Sequence, residues 1–225
     1  MPTSHVRPTP MTDALYEYVL TVGVREPDVI RRLREETARL PDGEWQTAPE
    51  QGPVLDLLVK LTGATRVLEV GTFTGYGALW MALALPPAGR VVTLDVSEDF
   101  VRVGRKYWQE AGVAGKIESV IAPAVGTLDR LLADGAAGSF DLAYVDADKA
   151  NVGAYYERCL RLVRPGGLVT IDNTLWDGKP ADPAETDPST AAIRELNARV
   201  FADDRIDLCF LPFADGMTVC RKKAP

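Results

Sequence analysis

The chain has 225 residues, 46% hydrophobic and 25% charged, ordinary proportions for one globular α/β domain spanning 1–225. Its 25 basic and 32 acidic residues leave a net charge of −7, which removes the basic footprint of a nucleic-acid binder. No apolar run approaches the roughly 18 to 20 residues that span a bilayer, and the first ten residues hold three prolines and no apolar leader stretch. The expectation is a cytoplasmic protein with neither nucleic acid nor membrane as partner.

In chain order, Thr12 or Asp13 is placed to cap a first helix ending about Gly23. Asp28 is placed to cap a second, VIRRLREETARL, that stops before Pro41. Both lie in 1–45, ahead of a repeating pattern that fills 46–225. A third helix is expected from Pro53 to Leu61, with Gly63 as its C-terminal stop. Then come apolar runs of strand length: RVLEV (66–70), RVVTLDV (90–96), KIESVI (116–121), FDLAYVDA (140–147) and GLVTIDN (167–173). Helical stretches at 75–85, 97–111, 124–133 and 149–163 separate them. Strands apolar on both faces that alternate with amphipathic helices predict a doubly wound, Rossmann-like α/β sheet covered on both sides. After an acidic, proline-rich loop (177–188) and a helix near 189–200 come RIDLCFLPF and MTVCRKK, joined through Ala214-Asp215-Gly216. A parallel crossover needs a dozen or more residues, so these last strands are expected to pair antiparallel as a hairpin.

Cys159, Cys209 and Cys220 are odd in number and lack any Cys-x-x-Cys spacing, so they are expected as buried thiols, not as disulfides or zinc ligands. His5 is the only histidine and sits in the proline-rich terminus, where disorder is expected. Any proton acceptor or metal ligand must therefore come from other residue types.

Between the first strand and the next helix lies Leu68-Glu69-Val70-Gly71-Thr72-Phe73-Thr74-Gly75-Tyr76-Gly77. Glycine lets such a turn approach a ligand, and the helix N-terminus offers free N–H groups to an anion. The spacing G-x-x-x-G-x-G differs from the G-x-G-x-x-G of pyrophosphate binders and suits a methionine carboxylate better, although tight turns also use glycine for geometry alone. Asp95 ends the second strand about 20 residues further on, where a carboxylate accepts ribose hydroxyls; capping the helix ahead is its plainer role. Thr72, Phe73 and Gly77 of the loop, Val96 beside Asp95, and Pro123 and Ala124 after the third strand complete the candidate cofactor pocket.

The fourth strand ends Val145-Asp146-Ala147-Asp148-Lys149 and the fifth Ile171-Asp172-Asn173. Neighbouring parallel strands present such residues to one crevice. Asp146, Asp172 and Asn173 then make an open, oxygen-only site for Mg²⁺, or for Ca²⁺ or Mn²⁺, while zinc is disfavoured without histidine or cysteine. Aspartate and asparagine are also favoured at strand ends for local reasons. Lys149, three residues past Asp146, is placed to take a hydroxyl proton; a solvated surface charge is the alternative.

Together VLEVGTFTGYGAL (67–79), VDADK (145–149), LVRPGGLVTIDNTLWDG (162–178) and DGMTVCRKK (215–223) resemble the metal-dependent catechol and caffeoyl-CoA O-methyltransferases, especially the small bacterial members. The resemblance runs from about Thr47 to Lys222. It implies S-adenosyl-L-methionine as methyl donor, a seven-stranded sheet, a homodimer and a divalent metal, and it makes 1–45 a helical cap or dimerisation segment. It also implies Asp146, Asp172 and Asn173 as metal ligands and Lys149 as catalytic base with Asp146 beside it. Glu69, Gly71, Tyr76 and Asp146 fall to the cofactor pocket and Asp95 to the ribose, with Thr47 on the metal or cofactor side. Lys149, Asn173 and Trp176 are expected against a catechol-like phenolic substrate, Trp176 as wall or as core packing. Gly77 stands where a serine is common, Gln51-Gly52-Pro53-Val54-Leu55 where EGQFL is common, and Ala122-Pro123-Ala124 where G-P-A is common. Two other functions stay open: a nicotinamide-dependent oxidoreductase, against which the glycine spacing argues, and a cofactor-binding protein without turnover.

Overall fold

The computed structural model describes residues 9–224; His5 lies outside them. Two helices lead, α1 (Asp13–Gly23) and α2 (Asp28–Thr37), followed by a 3₁₀ turn at Gly43–Trp45 and α3 (Gln51–Leu61). Four βα units and a fifth strand follow: β1 (Arg66–Val70), α4 (Tyr76–Ala84), β2 (Arg90–Asp95), α5 (Glu98–Glu110), β3 (Ile117–Ile121), α6 (Ala124–Ala133), β4 (Phe140–Val145), α7 (Val152–Leu162) and β5 (Val163–Asp172). The chain closes with α8 (Pro188–Ala202), β6 (Ile206–Leu211) and β7 (Met217–Lys222).

The seven strands lie in the order β3-β2-β1-β4-β5-β7-β6. β1 to β5 are mutually parallel, while β7 pairs antiparallel with both β5 and β6, so β7 alone runs against the rest. The expected hairpin is present, and its second strand is the one inserted beside β5. Each face of the sheet carries its own apolar core. Val67, Val91, Leu142 and Tyr144 point toward α2 to α5, with Ile30, Leu33, Leu55, Leu79 and Met81. Leu68, Val92, Ala143 and Val169 point toward α6 to α8, with Leu128, Tyr156, Leu160 and Ile193. This alternation within each strand is what a doubly covered sheet requires. Among the described residues no helix is long and apolar enough to cross a membrane.

Four local expectations change. Thr12 caps α1 by accepting the Leu15 N–H, but Asp28 is the first residue of α2 and not its cap, because Pro27 already turns the chain there and Asp28 is drawn to Arg31 and Arg32. α3 starts two residues before Pro53, since the Gln51 side chain accepts the Ala48 N–H and closes the first turn from outside. The helix expected over 149–163 begins as a 3₁₀ turn at Lys149–Asn151, capped by Asp148 accepting the Asn151 N–H. Of the cysteines, Cys159 and Cys220 are buried and free, but Cys209 is exposed, because β6 is an edge strand.

Candidate active site

In the order 3-2-1-4-5 the winding reverses between β1 and β4, and the crevice at that switch point is where such sheets bind ligands. Gly71 and Asp146 meet there. The Asp146 N–H donates to Val70 O at 2.8 Å, and a Cβ on Gly71 would lie 1.8 Å from Asp146 O, at a backbone φ of +97°. Glycine is required at 71 for both reasons. The rest of the loop is held from behind: Thr37 of α2 shares a 2.8 Å hydrogen bond with Thr74, and Trp108 of α5 donates to Gly75 O at 3.2 Å. Asp95 holds it from the side, one carboxylate oxygen accepting the N–H groups of Thr72 (3.0 Å) and Phe73 (2.7 Å), the other that of Ser97 (2.8 Å). Phe73 turns its ring onto Phe100 and Trp45, with centroids 4.7 and 6.3 Å away. Val96 and Pro123 form an exposed rim at the ends of β2 and β3, with Ala124 half-buried beside them.

Glu69 is buried beneath the start of α4, bonded to Thr93 Oγ1 at 2.5 Å, and Thr93 is 2.5 Å from Thr72 Oγ1. Burial pushes its carboxyl up to about 8. A Cβ on Gly77 would sit 2.4 Å from Glu69 Oε1, so glycine in place of the common serine goes with this position of Glu69. Tyr76, buried on the first turn of α4, donates to Glu26 at 2.9 Å, and Glu26 is gripped by Arg34 of α2 at 2.8 Å. The segment before α2 is thus tied to the glycine loop.

At the ends of β4 and β5, Asp146, Asp172, Asn173 and Lys149 come together. Asp172 is almost fully buried; one oxygen accepts Gln51 Nε2 (2.7 Å) and its neighbour's N–H (2.8 Å), the other Tyr144 Oη (3.0 Å). The same phenol lies 3.3 Å from Asp146 Oδ2, and Thr47 Oγ1 is 3.5 Å from that oxygen, at the outer limit of a hydrogen bond. Lys149 Nζ donates to Asn173 Oδ1 (2.6 Å) and Ala147 O (2.9 Å) and stands 3.7 Å from Asp146 Oδ1. It also lies 5.5 Å from the centre of the Trp176 ring, within cation–π range. Burial, and then the Asp146 charge, raise the Asp172 carboxyl to about 7; burial raises Asp146 too, against the pull of Lys149.

Two buried carboxylates facing one ammonium leave uncompensated negative charge, which the raised carboxyl values register. Among the described residues no group of three or more His, Cys, Asp or Glu side chains is arranged to hold a metal; the third oxygen here is an amide. An oxygen-only set of two carboxylates and an amide with surplus negative charge fits a hard divalent cation. Three contributors were not singled out from sequence as site residues. Tyr144 was signalled by a phenol two places before Asp146 in an apolar strand, hence on the same face. Gln51, noted only as a departure from EGQFL, and Asp215 of the β6–β7 connection, which accepts from Asn173 Nδ2 at 3.2 Å, had no local signal of a site role.

The family described as O-methyltransferase matches residues 21–223. The chain belongs to the O-methyltransferase family. It is 44% identical over 213 residues to mouse catechol O-methyltransferase domain-containing protein 1, covering 95% of this chain and 81% of that one. Caffeoyl-CoA O-methyltransferase of Eucalyptus gunnii is 42% identical over 220 residues, covering 94% and 88%. The crystal structure of the O-methyltransferase TomG of Streptomyces achromogenes, in complex with S-adenosylmethionine, superposes with a TM-score of 0.85 at 30% identity, covering 94% of this chain and 96% of TomG. This protein is accordingly an S-adenosylmethionine-dependent O-methyltransferase, and the oxidoreductase alternative falls away.

Proposed function

We propose that this O-methyltransferase methylates one hydroxyl of a vicinal dihydroxy phenol, free or carried on a caffeoyl-type ester, with help from a divalent metal. The observation that carries the reading is the convergence of Asp146, Asp172, Asn173 and Lys149 beside the glycine loop at the switch point. Asp146, Asp172 and Asn173 would hold the ion, Mg²⁺ or, failing it, Mn²⁺ or Ca²⁺. Bound there, such an ion supplies charge that favours the ionised phenol and orients two adjacent oxygens.

The chain's own groups do the rest. The loop from Gly71 to Tyr76 and the N-terminus of α4 receive the methionine carboxylate. Asp95, while holding the N–H groups of Thr72, Phe73 and Ser97, offers its remaining lone pairs to the ribose hydroxyls; Val96, Pro123 and Ala124 edge the adenine, and Thr47 faces the methyl-bearing side. Lys149 Nζ, having first released one of its own protons so that it enters the step as the neutral amine, takes the hydroxyl proton; the phenolate oxygen attacks the methyl carbon as the carbon–sulfur bond breaks, leaving the methyl ether and S-adenosylhomocysteine. Trp176 walls the acceptor, and proximity with collinear alignment of oxygen, carbon and sulfur supplies most of the acceleration.

The test is methyl transfer to a panel of catechols, caffeoyl esters and matched monophenols, with Mg²⁺, with EDTA, and in Asp172→Asn. Expected are turnover of the dihydroxy compounds alone and losses of more than about a hundredfold with EDTA and with the variant. Turnover of monophenols indifferent to chelation would refute the metal reading and leave the methyltransferase standing.

A further inference from the structure

Asn173 has a requirement that its own backbone position does not meet. A carboxamide can present either its oxygen or its NH₂ group, the two ends are nearly isosteric, and only the oxygen can ligate a cation. Two partners decide the matter. Lys149 Nζ, which only donates, lies 2.6 Å from Oδ1; Asp215, whose carboxylate only accepts, lies 3.2 Å from Nδ2. Lys149 is itself committed to the reaction, so the constant half of this clamp is Asp215.

Asp215 belongs to the connection between β6 and β7, and that connection grips the strand end bearing Asn173 at several points. Thr174 N–H donates to Gly216 O (3.1 Å) and Leu175 N–H to Asp215 O (2.9 Å). Asp215 Oδ1 accepts the Asp177 N–H at 2.8 Å while Oδ2 takes Asn173. Asn173, Trp176 and Asp177 have positive φ (57°, 47° and 55°), conformations that non-glycine residues hold only when their surroundings impose them. The fit is close: a Cβ on Gly216, itself at φ +84°, would meet Leu175 at 2.7 Å.

We propose that Asp215 is a positioning residue, fixing the Asn173 amide with its oxygen toward the metal site and at the same time holding the Trp176 wall. This rests on the metal reading above. Both carboxylate oxygens are engaged in different bonds, so asparagine, with one acceptor, keeps only one of them.

Mn²⁺ binding to the full-length protein, followed by electron paramagnetic resonance with S-adenosylmethionine present and no acceptor, tests this without turnover. Asp215→Asn is expected to weaken Mn²⁺ about tenfold or more, the range typical of groups that orient a ligand, with S-adenosylmethionine affinity changed less than about twofold. Asp207→Asn, a surface carboxylate on β6 paired with Arg221, controls for loss of charge and is expected to match the wild type. If the wild type binds Mn²⁺ and Asp215→Asn binds it equally well, the positioning role is wrong and the metal site stands. If the wild type binds none, the metal reading itself fails and takes this inference with it. An unfolded Asp215→Asn, recognised by lost S-adenosylmethionine binding, would make Asp215 a determinant of folding and overturn the claim of a local role.

Discussion

Glu69 shows how far one side chain's chemistry can depend on its setting. It sits at the carboxyl end of β1 with Thr93 and Tyr144 as its neighbours in register, and burial holds its carboxyl at about 8 against an ordinary 4.5. Between those values the native state keeps a proton that the unfolded chain has released, so its contribution to stability is full below about pH 4.5 and is lost as pH rises through 8. Glu69→Gln removes that dependence. Urea unfolding should find the variant gaining on the wild type between about pH 6 and pH 9, and an equal difference at both would sink the assignment. Gln51 offers a second residue-scale test. It bridges Ala48 N–H and the buried Asp172, so Gln51→Ala leaves a carboxylate short of a donor and should cost about 1 to 3 kcal/mol by thermal or urea unfolding. A loss within experimental error would mean that water replaces the amide.

At the scale of elements, the turn between β1 and α4 determines whether a ligand can approach the switch point. Gly71→Ala combines a positive φ with a Cβ 1.8 Å from Asp146 O, and should cost about 2 to 4 kcal/mol and weaken S-adenosylmethionine by more than about tenfold in calorimetry. Unchanged affinity would show that β4 can retreat freely. Most elements were legible in sequence because hydrophobic period and length separate five apolar strands from the helices between them. The exceptions share a cause. The early start of α3 and the 3₁₀ turn at Lys149–Asn151 depend on single side chains bonding to nearby backbone, and the displaced cap of α2 on Pro27 and on Asp28 pairing with two arginines, none of which leaves a periodic trace.

For the whole molecule, a ligand that binds only the folded state stabilises it by mass action, about 2.7 kcal/mol at a hundred times its dissociation constant. Mg²⁺ should therefore raise the melting temperature by several degrees, about 2 to 4 °C per kcal/mol at this size, and EDTA should reverse it; no shift would count against the site. α1 buries none of its residues, exposes Tyr18 and Val22 one turn apart, and is held by Tyr16 donating to Glu50 at 2.8 Å. Removing residues 1–24 should therefore cost the fold less than about 2 kcal/mol by urea unfolding, because the described part of that segment is held by little more than this one hydrogen bond. A larger loss would mean that α1 supports the fold through more than that contact. The sequence by itself determined the doubly wound sheet, the antiparallel end, the glycine turn and the oxygen residues at the ends of β4 and β5, because period, spacing and residue chemistry are local properties. Only the tertiary structure decided that β7 lies between β5 and β6, and that Gln51, Tyr144 and Asp215 close around Asp172 and Asn173. Those contacts join residues from 28 to 121 positions apart, or from opposite sides of a strand end, and no pattern along a chain encodes a meeting that depends on how the sheet is wound.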